Sequence, residues 1–319
     1  MSDSIREAAL KLGYADARPV TGHPFRVWRE RLDNIPLGQT LSFDHDPALL
    51  SGWPLGEITL WVAIAPTPPL KEWPEGCGEL GAHYVHSVGQ ERRREAWEEA
   101  AEMLGYEVIP DAMLPERAAA IRAGFGVQGL NGLLITPDYG SYVNIAVLLI
   151  RSAPPEGARG PEHDLSSGCN KCGECIKVCP TGAISEDGVD ALKCLRHYMR
   201  KPETMPEDAF HLMGRRIMGC ETCQQVCPDN DSLKREDPPQ DLFGCMRIES
   251  LLTKPETNQM TIYIDSYYIP ENRVRAQAHL AAANTGRNDL LPLIEVDIGS
   301  DDEARNKTAR WAADILKAQ

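Results

Sequence analysis

Eight of the chain's ten cysteines fall between Cys169 and Cys227. Ten cysteines in 319 residues are too sparse for a small scaffold held by disulfides, so the crowding is the informative feature. Cys169-x2-Cys172-x2-Cys175-x3-Cys179-Pro180 is an iron–sulfur run: three closely spaced thiolates wrap one cubane while the fourth points at a second cluster. A looser set follows, Cys194 and then Cys220-x2-Cys223-x3-Cys227-Pro228, with residues 195–219 separating its first cysteine from the rest. Eight thiolates are what two [4Fe-4S] clusters require. The crossing of the fourth ligands assigns Cys169, Cys172, Cys175 and Cys227 to one cluster, and Cys179, Cys194, Cys220 and Cys223 to the other. Zinc sites come as paired Cys-x2-Cys without the third close cysteine or the Cys-Pro ending. Cys77 and Cys245 are outside the set and read as small buried hydrophobes.

Apolar residues make up 42% of the chain and charged residues 25%, an ordinary globular composition for two or three domains. The net charge of −14 argues against a globally basic nucleic-acid binder. Residues 1–150 carry 12 basic and 20 acidic groups, whereas residues 193–287 carry 13 of each, so a local basic face belongs to the later part. The start lacks an apolar segment behind a basic one, and no run of about 18 apolar residues occurs. The expectation is a reducing cytoplasm and no membrane, where clustered cysteines are ligands rather than disulfides.

Along the chain, residues 1–20 have the pattern of an amphipathic helix, with Ile5, Ala8, Ala9 and Leu12 in phase. Ile58 to Ile64 and Val143 to Ile150 read as buried strands, as does the short Leu133 to Ile135. Gln90 to Leu104 and Pro115 to Ala123 read as helices, so strands and helices alternate in this half. Residues 152–162, rich in Pro and Gly, form the best linker. Arg273 to Ala283 and Asp302 to Leu316 are two helices flanking the short Leu290 to Ile294. The expected division is 1–152, 163–240 and 241–319.

Gly124-Phe-Gly126-Val-Gln-Gly129 matches the dinucleotide pattern, but that motif should follow a strand and open a helix. Here it follows a helix and leads into a strand, so a Rossmann site is not expected. Arg122 to Ser141 (RAGFGVQGLNGLLITPDYGS), followed by Cys-Pro-Thr-Gly-Ala-Ile at 179–184 and Gly-Cys-Glu-Thr-Cys-Gln-Gln-Val-Cys-Pro at 219–228, resembles the epoxyqueuosine reductases. Those are cobalamin-dependent tRNA-modifying enzymes, more distantly related to reductive dehalogenases. The resemblance is best over about residues 115–230.

It implies an α+β fold: a nitroreductase-like α/β domain holding base-off cobalamin, a bacterial ferredoxin-like double [4Fe-4S] domain, and a small HEAT-like helical tail. Electrons would pass from an external ferredoxin- or flavodoxin-type donor through both clusters to cobalt and then to substrate; tRNA is the family's partner, but the acidic residues 1–150 and the missing substrate segment favour a divergent substrate over tRNA. Gly124, Gly126, Gln128, Gly129, Asn131, Thr136, Tyr139, Gly140 and Ser141 would line the corrin. The chain departs from the family at Leu130, where a lysine is usual, and at Val127, where a tryptophan is usual. Ala82-His-Tyr-Val-His86 stands roughly where a Gly-Arg-Asp-Tyr-His segment lies. The catalytic aspartate aligns with Pro110, one residue from Asp111. Asp111 is therefore the candidate proton donor, with a helix N-cap as its alternative reading; Tyr142 and Tyr139 are alternative donors, since a phenol is protonated at pH 7, or pack against the corrin or the core. His83 and His86 are further candidate donors. Arg196, Arg200, Lys201, Arg215 and Arg216 flank the thiols and suit either tRNA phosphates or the clusters' negative charge. Two other functions fit the same motifs: reductive dehalogenation of a small molecule, and electron carriage without catalysis.

Overall fold

The computed structural model describes residues 2–33, 46–164, 168–253 and 257–318. Helix α1 (Ser2–Lys11) buries Ile5 and Ala9, and strand β1 (Asp16–Thr21) follows it. The expected first helix therefore ends at Lys11 rather than near residue 20. Pro19 explains the change: it has no N–H for a helix interior but is tolerated on an edge strand, and β1 is the sheet's edge. Helices α2 (Arg26–Asp33) and α3 (Pro47–Ser51) come next. They lead to β2 (Ile58–Pro66), buried at every position but the last. The short β3 (Glu79–Leu80) and α4 (Ala82–Val85) precede the long α5 (Ser87–Met103). This half ends with β4 (Val108–Ile109), α6 (Glu116–Arg122), β5 (Val127–Gln128), β6 (Leu134–Ile135) and β7 (Val143–Arg151).

The four-stranded sheet runs β1-β2-β7-β4. Strands and helices alternate along the chain, yet every ladder in it is antiparallel, an α+β arrangement. The two-residue period of a strand sorts its side chains between two cores. Leu60, Val62, Val147 and Leu149 pack with Phe25 and α6, while Trp61, Ala63, Ala146 and Leu148 pack with Ile5 and Trp97. The glycine-rich stretch forms the β5–β6 hairpin, with Val127 opposite Ile135, and not a nucleotide loop.

The thiol region contains α7 (Glu174–Val178), the hairpin β8 (Ile184–Ser185) and β9 (Gly188–Val189), α8 (Leu195–Arg200), β10 (Arg216–Met218) and α9 (Thr222–Gln225). Helices α10 (Ile248–Thr253), α11 (Thr257–Met260), α12 (Glu271–Asn284), α13 (Leu291–Glu295) and α14 (Glu303–Ala318) form the tail. One apolar core joins Leu80 and Tyr84, then Leu195, Met199, Phe210 and Met218, then Leu251, Leu280, Ala309 and Leu316. Residues 195–219 are thus core-forming, and β10 pairs in parallel with β3. Side chains from all three expected segments share this core.

The expected linker is pinned down. The Thr21 amide donates to the Arg159 carbonyl at 3.0 Å. Arg122, fully buried over the Phe25 ring, grips Asp164 with Nε and Nη2 at 2.6 and 2.8 Å. In the tail, Asp297 is fully buried and accepts from Arg275 Nε and Nη2, both at 3.0 Å, and from Arg305. His279 Nε2 lies 3.0 Å away. Burial alone would raise this carboxyl's pKa, but His279, Arg305 and Arg275 together hold it well below the usual carboxylate range.

Asp297→Ala leaves the Arg275 guanidinium buried without its counter-charge. The expected cost is about 3–5 kcal/mol in chemical denaturation at pH 7. Because the folded-state pKa is depressed, the Asp297 contribution is complete above the unfolded value of about 3.9. It is lost as pH falls through the folded value, so wild type and variant should converge in acid.

Candidate functional site

Cys169, Cys172, Cys175 and Cys227 line one concavity, together with Asn170, Gly173, Asp229 and, from the glycine-rich segment, Gly129, Leu130, Asn131 and Ile135. Positive φ angles at Lys171 (54°) and Gly173 (79°) wind the loop tightly before α7. The second set lies deeper. The Cys223 thiol is pushed up to about 12 by burial and by its neighbours Cys220, Cys194, Cys175 and Cys179. Cys194 is raised by burial, with Cys220 and Cys179 adding to it. Burial also raises Cys175, helped by Cys169 and Cys172, and pushes Cys227 up to about 11, where Asp229 and Cys169 contribute. Thiolates this crowded repel one another. A cationic iron core requires them deprotonated and relieves the repulsion, so the donor set suits metal clusters. The Ala183 amide donates to Cys179 Sγ at 3.3 Å, the kind of contact that tunes a cluster's potential.

The glycine-rich segment clasps the thiol region. A Cβ at Gly126 would stand 2.0 Å from the Ile135 carbonyl oxygen, and one at Gly140 (φ 49°) 1.9 Å from Asn230 Oδ1. Neither place admits a side chain. The Ser141 amide donates to Asn230 Oδ1 at 2.8 Å. Asn230 Nδ2 donates to Ser141 Oγ at 2.9 Å and to the Gln224 carbonyl at 2.7 Å. Gln224 Nε2 donates to the Ser141 carbonyl at 3.1 Å. Thr136 Oγ1 donates to the Gly140 carbonyl at 3.1 Å and accepts from the Tyr139 amide at 3.2 Å, closing the turn.

The residues expected to line a corrin thus have different surroundings. Gly129 and Asn131 face the first thiol set, and Gly140 and Ser141 face the chain beside Cys227. Tyr139 packs on the sheet core, Gln128 is exposed on β5, and the Gly124 carbonyl accepts from Arg18 at 2.6 Å. Tyr142 is buried, and its hydroxyl has no partner among the described residues. Burial, then Glu221, raise its pKa, so it stays a phenol, and the Cys223 thiol is among its neighbours.

A separate cavity of about 190 Å³ is lined by His83, by Ser87, Gln90, Glu91 and Arg94 of α5, by Asp111, by Glu116 of α6, by Asn144 to Val147, and by Asp265 and Tyr268. Asp111 has a left-handed backbone (φ 47°), and its amide donates to Glu98 Oε1 at 2.9 Å. Its carboxylate is 78% exposed and 3.6 Å from Arg94 Nη2. It does not cap α6, whose cap position is Pro115. Glu116, the first residue of α6, is exposed at this cavity. The surrounding protein, Glu91 and Asp111 raise its pKa, while Arg117 and Arg94 pull it down. Its place in the first turn of α6 favours the carboxylate by only about 0.3–1 kcal/mol, less than one pKa unit. His83 is exposed at the cavity, and the surrounding protein, then Arg196 and His86, lower its pKa.

Two of the flanking arginines are committed inside the fold. Arg215 donates to the Pro74 carbonyl at 2.9 Å and pairs with Glu79, and Arg216 donates to the Leu212 and Met213 carbonyls. Arg196 donates to Tyr84 and Arg200 to Tyr267. Sequence reasoning missed Glu116, Arg94, Asp265 and Tyr268, which no motif joins, and it missed Asn230 and Gln224. The glycine at 140 is the one signal that something approaches there closely.

Residues 168–230 match the family described as 4Fe-4S double cluster binding domain. The chain is 31% identical over 326 residues to an epoxyqueuosine reductase of Bacillus cereus, covering 95% of this chain and 84% of that protein. Against the epoxyqueuosine reductase of Bacillus anthracis it is 31% identical over 213 residues, 64% of this chain and 55% of that protein's length. A crystal structure of epoxyqueuosine reductase with an epoxyqueuosine-modified tRNA-Tyr stem loop superposes with a TM-score of 0.78 at 21% identity, covering 99% of this chain and 90% of that one. No helix among the described residues is long and apolar enough to cross a membrane.

Asn230→Ala leaves the buried Ser141 amide and hydroxyl without partners. The expected loss is about 1–3 kcal/mol, with faster hydrogen exchange at the Ser141 and Tyr142 amides. Asn230→Asp, which keeps the acceptor for the Ser141 amide, should restore most of the protection there.

Proposed function

The chain belongs to the epoxyqueuosine reductase family, and we propose that it is itself an iron–sulfur-dependent reductase of epoxyqueuosine in tRNA. The observation that carries this reading is the meeting of the first thiol set, Cys169, Cys172, Cys175 and Cys227, with the clasped Gly124–Tyr142 segment. In this reading Cys169, Cys172, Cys175 and Cys227 hold one [4Fe-4S] cluster, and Cys179, Cys194, Cys220 and Cys223 hold the other. The neighbours of Cys175, Cys194 and Cys227 fall within their own sets and support that division, while Cys223 also has Cys175 of the first set beside it. The two clusters, when bound, supply one-electron transfer from a ferredoxin- or flavodoxin-type donor.

Base-off cobalamin is the second cofactor in this reading; bound, it supplies a strongly reducing cobalt centre. The fit rests on the buried Tyr142 hydroxyl, which lacks a partner among the described residues. Buried polar groups are rarely left unpaired, and a large ligand rich in amides would satisfy it. Tyr142 would donate to it, the Ser141–Asn230 contact would fix the loop beside it, and the small residues Gly124, Gly126, Gly129 and Gly140 would keep the backbone close. Gln128, Asn131, Thr136 and Tyr139 belong to the same lining. Asp111, paired with Arg94, marks the rim of the polar cavity where the substrate base would enter.

In the same reading, segment 1–152 is the nitroreductase-like cofactor domain, 163–240 the ferredoxin-like domain, and 241–319 a HEAT-like helical element. Residues 165–167 and 254–256 of those segments lie outside the described residues, as do 34–45. A tRNA partner places the protein in the cytoplasm. A solved family member of the same fold was crystallised with a modified tRNA stem loop, and the basic side chains Arg200, Lys201 and Arg273 offer phosphate contacts.

Anaerobically reconstituted protein, given a one-electron donor and tRNA carrying epoxyqueuosine, should convert that nucleoside to queuosine, read by mass spectrometry of the digested tRNA. Unchanged nucleoside would refute the proposal. Cys223→Ala should cut bound iron from about eight to about four atoms per chain and abolish conversion.

A further inference from the structure

We infer that the uncovered edge of β7 at Ile145 and Val147 is the main-chain surface that reads the substrate's base, by binding a ring N–H that stands beside a ring C=O. This rests on the reductase reading above.

The N–H and C=O groups of successive residues leave a β-strand on alternate sides. The Gly22 amide donates to the Ile58 carbonyl at 3.2 Å, so Ile58 bonds toward β1. Leu60, Val62 and Ile64 follow it at every second position and bond the same way. Their partners across the β2–β7 ladder, Leu149, Val147 and Ile145, therefore bond away from β2. Arg151, opposite Ile58, shows the direction: its amide donates to the Glu107 carbonyl at 2.9 Å. Leu149 lies against Ile109 of β4. Val147 and Ile145 have no such neighbour, because β4 ends at Ile109. Asp111, in register to face Val147, instead turns away with a left-handed backbone and gives its amide to Glu98 Oε1 at 2.9 Å.

Ile145 and Val147 are only 9% and 5% exposed, yet no hydrogen bond reaches their N–H or C=O groups among the described residues. Enclosed backbone groups are rarely left unpaired. Both residues line the polar cavity. Their side chains pack with α6 on one face of the sheet, and Ala146 packs with α5 on the other. The cavity is thus the gap that a longer β4 would have filled.

An occupant of that gap has to imitate one strand residue while being short and flat. A lactam does so: its N–H donates to a carbonyl and its C=O accepts from an amide, as the opposite residue of an antiparallel pair does. Epoxyqueuosine is a deazaguanine nucleoside and keeps the lactam edge of guanine. The walls agree with a base rather than a phosphate. Glu91, Asp111, Glu116 and Asp265 face a single arginine, Arg94, so the cavity repels an anion and accepts amino groups. Tyr268 adds an aromatic wall. Gln90 already donates to Thr67 Oγ1 at 3.3 Å and Ser87 to the Tyr84 carbonyl at 2.8 Å, and Arg94 pairs with Glu91 and Glu98. The strand edge offers donor–acceptor pairs that are fixed in place and unspent.

The test follows amide hydrogen exchange residue by residue, by tandem mass spectrometry, in the full chain reconstituted anaerobically with iron, sulfide and cobalamin. Ala146 and Leu148, bonded to β2, should exchange slowly, and Ile145 and Val147 at least about 10-fold faster. An epoxyqueuosine-bearing stem loop, added with the electron donor withheld, should slow Ile145 or Val147 at least about 10-fold and leave Ala146 and Leu148 as they were. A loop with guanine at the modified position should compete for the site about 10- to 100-fold better than one with 1-methylguanine, whose ring N–H is blocked. Equal competition by the two loops overturns the inference, as does a bound epoxyqueuosine loop that leaves both amides fast. Slow exchange at both amides before any loop is added also overturns it, since protein or cobalamin would then cover the edge. An epoxyqueuosine loop that protects the edge but stays unreduced once the donor is supplied sinks the reductase reading alone. A loop that does not bind overturns both.

Discussion

Between Gly168 and Cys194 the chain buries only two apolar side chains, Ala183 and Ile184. A segment of that length cannot offset its own conformational entropy with so little burial. Its shape has to come from elsewhere: from ligation of its thiols, and from the walls it touches. Metal ligation supplies folding free energy directly where the protein alone supplies little. The walls are specific. Val189 comes within 3.2 Å of where a Cβ on Gly132 would stand, Val127 packs over Gly168, and Asn230 is bound into the turn at Gly140 and Ser141.

This dependence explains why the cysteine-rich segment is not a separable module. Beyond Cys194 the chain turns inward, and Leu195, Met199, Phe210 and Met218 enter the core that α10, α12 and α14 complete. The long separation of Cys194 from Cys220 therefore has a structural use. It anchors the second thiol set to a packed helical unit, while the first set is covered by the glycine-rich loop. On the far side, Arg122 and Asp164 tie the entry to the thiol region back to α6, whose first residue lines the polar cavity. The helix that presents Glu116 is thus held by the same contact that anchors the connection from β7.

Much of this was legible in the sequence, and for identifiable reasons. Ile58–Pro66 and Val143–Arg151 are continuous apolar runs because both faces of the sheet are covered. The thiol spacing is a local code and reads without a structure. The failure of the Gly124–Gly129 stretch as a dinucleotide loop was legible too, from a helix in front and a strand behind. Other features were not, because they depend on partners distant in sequence. Asp16–Thr21 is a strand only because β2 lies beside it. Residues 152–162 look like a free linker because composition records Pro and Gly but not the Arg122–Asp164 pair. Asp111 looks like a helix cap until the helix is seen to start at Glu116. Glu116 carries no motif, and the cavity it lines is assembled by four separate stretches of chain.

Hydrogen exchange across Gly168–Cys194, in iron-loaded protein and in the same protein after anaerobic chelation, tests this account most directly. The account predicts strong amide protection in the loaded protein. It predicts near-complete loss of that protection in this segment after chelation, with the β1-β2-β7-β4 sheet unchanged. Equal protection in the two states would mean that the segment folds without its metal, and would contradict the claim that two thiol-held clusters are the centre on which the structure is built.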